Sequence, residues 1–248
     1  MKYFYLAFII MGMWSCLKDV SGDEKTGTFM FHMHTYIDNE EVDLYNINYH
    51  TLSGRTISLS KAQMYVSDVQ LVKQDGTVYS LTGKKVLKVL EKDIYVVGDI
   101  PVATYKSLRF KVGLDAATNA LSPLTPSDSA ILNKPDMWFS NAAQPDGYVF
   151  LNVQGKIDTS AALNKTPVPF AYKLGTSKNY IQVVMPDKDL IAEEGQTLFG
   201  HIIIDYSKLF NGISLTQVDN LSVTTPTANS SALAGKIASN IPSMFIYE

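Results

Sequence analysis

The stretch "TISLSKAQMYVSDVQLVKQDGTVYSL", residues 56–81, decides the fold. From Thr56 to Val72 apolar and polar side chains alternate with few breaks. That is the period-two pattern of a strand with two unlike faces. Asp75 and Gly76 then sit at the centre of a tight turn, and "VYSL" resumes the alternation, so the segment predicts a β-hairpin. The same period continues along the chain in "KKVLKVL", "DIYVVGDI", "GYVFLNVQGKID", "NYIQVVMP" and "GHIIIDY". In "YKSLRFKVGLD" it puts Leu108, Phe110, Val112 and Leu114 on one face, with Ser107, Arg109 and Lys111 on the other. Helical spacing is confined to short pieces: "SDSAILN" after Pro126, "YSKLF" at 206–210, and "NSSALAGKIASNI" near the C-terminus, where Leu233, Ile237 and Ile241 recur at a four-residue step. Many strands with hairpin turns and few helices predict an all-β fold, an antiparallel β-sandwich with long irregular loops and a few short helices. The segment 115–146 is the one long stretch without strand character.

The N-terminus reads differently. Lys2 is followed by an apolar run, Tyr3 to Trp14, too short to cross a bilayer as a helix and of signal-peptide length. Ser15 then precedes Cys16, the only cysteine in the chain. A small residue before a lone cysteine at this place predicts a lipidation site, with 1–15 as a lipoprotein signal peptide. Residues 16–28 follow as a polar, flexible tether and 29–248 as a single β domain. Asp19, Asp23 and Glu24 resemble the acidic residues of surface-export signals. The expected location is therefore the bacterial outer membrane, lipid-anchored through Cys16, periplasmic or surface-facing. One cysteine allows neither a disulfide nor a thiolate metal cluster, so the core alone must stabilise the fold. The net charge of −3 offers no basic field for nucleic acid. No G-x-S-x-G, H-E-x-x-H or P-loop is present. The acidic pairs Glu40-Glu41 and Glu193-Glu194 read as solvated turns, so an enzyme is not expected.

Two stretches could carry function. In "FMFHMHTYID", residues 29–38, alternation places Met30, His32, His34 and Tyr36 on one face and Phe29, Phe31, Met33 and Thr35 on the other. Same-face neighbours on a strand stand roughly 6.5–7 Å apart, so two imidazoles can converge on one ion about 2 Å from each nitrogen. With Met30 they form a thioether–imidazole set suited to copper, Cu(I) above all. The plainer reading is two ordinary histidines on a half-exposed strand. His50, His201 or Met185 could complete a site only if the fold brings one of them near. The second stretch is "PDMWFSNAAQPDGY", residues 135–148. If exposed, its rings Trp138, Phe139 and Tyr148 could stack on a glycan or an envelope protein. The alternative is that the rings plug the end of the sandwich.

The order of several short motifs resembles the MbnP-like family of secreted, β-rich proteins over roughly residues 29–247. The motifs are "HTYIDNEEVDL", then "MYVSD" at 64–68, then "VATYKSLRFKVGLD". They are followed by "MWFSNAAQPDGYVFLNVQG", "PFAYKLG" and "NSSALAGKIASNIPSMFIY". The resemblance implies copper as the candidate cofactor, held in copper-binding members by histidines and an oxidised tryptophan. This sequence departs from that pattern. Phe139 and Asn141 stand where the family's two tryptophans are expected, with Trp138 one residue away. Lys173 stands where a histidine is usual, and a protonated lysine cannot ligate. His34 alone matches an often-present histidine of the family.

Overall fold

The computed structural model describes residues 24–122, 131–140 and 147–248. Cys16 and the apolar run before it lie outside the described residues, as do Asn141, Asp146 and most of the helix expected after Pro126. The strands, in chain order, are β1 (Thr26–Ile37), β2 (Glu40–Glu41), β3 (Tyr49–His50), β4 (Thr56–Lys73), β5 (Val78–Lys88), β6 (Ile94–Pro101) and β7 (Ala103–Val112). After them come β8 (Val149–Ile157), β9 (Val168–Gly175), β10 (Ile181–Val184), β11 (Leu190–Ala192), β12 (Thr197–Asp205), β13 (Ser222–Val223) and β14 (Phe245–Tyr247). Among the described residues the α-helices are the short α1 (Ala116–Asn119) and α2 (Ala232–Asn240). "YSKLF" forms a single 3-10 segment, Tyr206–Phe210. Among the described residues no helix is long and apolar enough to cross a membrane.

The strands form two sheets. The first runs β14-β12-β1, with β2 and β6 both paired to β1. The second runs β10-β7-β4-β8-β9-β13, with β11 on β7 and with β3 and β5 on β4. The fold is all-β as expected, but the sheets are mixed rather than purely antiparallel, because β1 pairs with β12 and β9 with β13 in parallel. A parallel partner needs a long crossover. Most of the chain lies between β1 and β12, and local periodicity carries no information about which distant strand closes that connection. β1 begins at Thr26, so the last three residues of the expected tether belong to the strand.

The 56–81 hairpin forms with its turn where Asp75 and Gly76 predicted it. Gly76 takes a φ of 90° there, and Val72 pairs with Val78. β4 is the spine of the second sheet. Its first half pairs with β8 and its second half with β5 and β7. The register shifts at Ser67/Val69, where Asp68 adopts a left-handed φ of 49°, and the bulge breaks the alternation at that point.

The main core lies between the sheets. Phe31 of β1 meets Phe110 of β7 edge-on at 5.7 Å between ring centres, and Phe110 meets Phe245 of β14 at 5.0 Å. A second, smaller core forms on the other side of the second sheet. There Tyr65, Leu87, Leu114 and Phe150 are covered by Met137, Trp138 and Tyr148. The middle of β4 is thus buried on both faces, by the first sheet on one side and by the 131–140 segment on the other.

Candidate metal centre

β1 keeps strict alternation. Phe29, Phe31, Met33 and Thr35 are buried, while Met30, His32, His34 and Tyr36 are half-buried on the outer face of the first sheet. Parallel pairing sets His32 of β1 directly opposite His201 of β12. Their Nδ1 atoms stand 3.0 Å apart. β14 then brings Glu248 alongside: its backbone N–H donates to the His201 carbonyl, and its Oε2 lies 3.5 Å from His201 Nδ1. One ligand atom from each of His32, His201 and Glu248 falls within 4.8 Å of the others.

This trio shares His32 with the His32/His34 pair expected from spacing. Adjacent strands lie about 4.8 Å apart and same-face neighbours on one strand roughly 6.5–7 Å, so His32 has an imidazole neighbour in each direction, His201 across the sheet and His34 along the strand. His34 turns its Nδ1 to Glu41 Oε1 at 2.6 Å, although its ring remains 4.3 Å from that of His32 between centres. Met30 stands one alternation before His32, level with Phe199 of β12 and Val96 of β6. His50 is exposed, its backbone N–H bound by Glu40 Oε1, and Met185 is buried in the main core. Glu41, expected to be only a solvated turn residue, thus has a specific partner. Glu248 gives no periodic signal at all; only the pairing of β14 to β12 places it.

Burial lowers the pKa of His32, and the neighbouring His34 and His201 lower it further, against smaller opposing effects of Glu248 and Asp93. At neutral pH His32 is therefore the uncharged imidazole, the form that ligates metals. At 3.0 Å the two Nδ1 atoms are within hydrogen-bond distance, with donor and acceptor set by the tautomers.

The aromatic loop goes the other way. Trp138 and Tyr148 are buried, and Trp138 Nε1–H donates to the Leu132 carbonyl at 3.0 Å. Neither ring is presented for stacking on a glycan or protein partner. The apolar outer face of β4, β5 and β8 gains more from covering them than solvent exposure would. Phe139 is half-buried and packs against Gly175, where an added Cβ would collide with the ring. Phe139 and Lys173, standing at positions the family resemblance ties to copper, supply no ligand pair there.

A sequence model of the family described as MbnP matches residues 26–227. Among solved structures the chain is similar to MbnP from Methylosinus trichosporium, with a TM-score of 0.54 and 15% identity, covering 89% of this chain and 98% of that one. At that identity the likeness is one of fold. No curated protein sequence matches the chain. On the extent of the sequence match, most of the β domain included, the chain belongs to the MbnP family.

Proposed function

We propose that this protein is a non-catalytic, copper-binding member of the bacterial cell envelope that holds its ion at His32, His201 and Glu248. On this reading the signal-like N-terminus and Cys16 anchor it by lipid to the outer membrane. The observation that carries the proposal is the spacing of the three ligand atoms. Nitrogen and oxygen ligands about 2 Å from an ion stand about 2.8 Å apart when cis in a square plane and about 3.3 Å apart in a tetrahedral shell. Here the two contacts are 3.0 and 3.5 Å. Two imidazoles and a carboxylate form a borderline donor set that fits Cu(II). Family membership supports copper over other borderline ions, as the resemblance implies.

The test is a titration of the purified domain with Cu(II) and with Cu(I), beside a His32→Ala/His201→Ala double variant. One Cu(II) per chain is expected, lost in the variant. Copper binding that the variant retains, or no binding by the parent chain, overturns the proposal.

A further inference from the structure

The His32–His201–Glu248 trio leaves at least one position of a four-coordinate ion open, and the side chain nearest to it in kind and place is His34. Its ring already lies against that of His32, 4.3 Å between centres. His34 Nδ1 is engaged by Glu41 Oε1 at 2.6 Å, so Nε2 is the nitrogen left free. A metal-ligating imidazole characteristically directs its other ring N–H to a carboxylate, which fixes the tautomer and raises the basicity of the ligating nitrogen. The Glu41–His34 pair has that arrangement before any ion is present. β2 is only two residues long, and its pairing of Tyr36 with Glu41 is what brings this carboxylate to the outer face of β1. The row Glu41, His34, His32, His201, Glu248 therefore spans the outer face of four strands, with a carboxylate at each end. Its two carboxylates suit it to a cation.

We infer that His34 is the fourth ligand of this site, closing on the ion through Nε2 by side-chain rotation, and that Glu41 is the positioning residue that holds its tautomer. In the structure His34 stands just outside the trio whose ligand atoms are mutually close, so the shell closes on metal loading. The inference rests on the proposed copper site and names a divalent ion of the Cu(II) class with three imidazole nitrogens and one carboxylate oxygen.

The experiment uses the folded domain loaded with one equivalent of Cu(II) and reads electron paramagnetic resonance. Superhyperfine structure from three coupled nitrogens is expected in the parent chain and from two in His34→Ala. Added imidazole is expected to restore the third nitrogen in that variant. Glu41→Gln is expected to keep three nitrogens but shift the copper hyperfine coupling and weaken affinity by roughly 10–100-fold. A merely structural role for Glu41 would leave the coupling unchanged. Identical spectra and affinities for the parent chain and His34→Ala overturn the inference while leaving the trio in place. Copper that stays bound in the His32→Ala/His201→Ala variant instead removes the site on which the inference stands.

Discussion

Gly155 lies opposite Leu59 where β8 passes the register shift of β4, and an added Cβ would run into the carbonyl oxygen of Ser58. The obstacle is backbone, not a flexible side-chain end, so one of the two strands would have to move. Gly155→Ala is expected to destabilise the protein by about 1–3 kcal/mol, the usual cost of overpacking. Gly235 in α2 is the internal control. It meets nothing within 4 Å, and Gly235→Ala is expected to be neutral or to stabilise by about 0.5–1 kcal/mol through helix propensity. Urea denaturation of both variants checks the pair. Equal effects at the two positions would show that close approach does not govern Gly155. Trp138 makes a related point at the same scale. In the sequence it is a ring among turn residues, which suits a binding loop. In the fold it closes a hydrophobic patch, and its one polar atom finds the Leu132 carbonyl.

The elements meet at a latch at the far end of β1. Asp38, in the turn after that strand, takes a left-handed φ of 50°. Its carboxylate accepts hydrogen bonds from the Leu52 backbone N–H, the Ser207 hydroxyl and the Lys208 ammonium, while Asp205 binds the Asp38 backbone N–H and Lys208. The latch joins the β1–β2 turn to the end of β12, the two parallel strands that carry His32 and His201. Burial pushes the Asp38 carboxyl up, but the hydrogen bonds from Lys208, Leu52 and Ser207 outweigh it and hold its pKa below 3.8. For Lys208, burial pulls the ammonium down, and Asp205 and Asp38 together raise it above 10.5. A depressed acid contributes stability that is present above its unfolded pKa and lost as pH falls through the folded one. A raised base contributes stability present below its unfolded pKa and lost as pH rises through the folded one. The latch is therefore intact from about pH 4 to about pH 10 and weakens outside that window. Asp38→Asn tolerates the left-handed backbone but removes the charge. It is expected to cost about 2 kcal/mol at pH 7 and to flatten the dependence of stability on pH below 4. Denaturation midpoints between pH 2 and 7 test this, and an unchanged acid limb would mean that Asp38 does not contribute to it.

At the scale of the whole molecule, the proposed ion ties together strands distant in sequence. His32, His201 and Glu248 come from β1, β12 and the residue after β14, and β14 is a three-residue edge strand. An ion that binds only the folded chain adds stability by mass action, about 2.7 kcal/mol at a free concentration 100-fold above its dissociation constant. For a domain of this size that corresponds to a rise in melting temperature of roughly 5–10 °C. Thermal unfolding with and without Cu(II) measures it, with the His32→Ala/His201→Ala variant expected to show no rise. A parent chain whose melting temperature ignores Cu(II) would contradict binding at this site.

The sequence by itself determined the all-β class, the 56–81 hairpin and its turn, and the inward and outward faces of β1. These depend on a period of two and on Asp75-Gly76, which act over a few residues. The resemblance in motif order also reached the family, because a fold's strand ends and turns recur in sequence even where its ligands do not. What only the tertiary structure decided was pairing. That β1 lies parallel to β12 is a choice between strands more than 150 residues apart, and no local pattern encodes it. That choice sets His201 directly across from His32, and the pairing of β14 then brings in Glu248, a residue with no signal of its own. The inward turn of Trp138 was settled in the same way, by an apolar outer face on the second sheet that needed covering. Side-chain chemistry was legible residue by residue. Its assembly into a site waited on which strands became neighbours, because a residue's partner across the sheet is set by long-range pairing and not by local spacing.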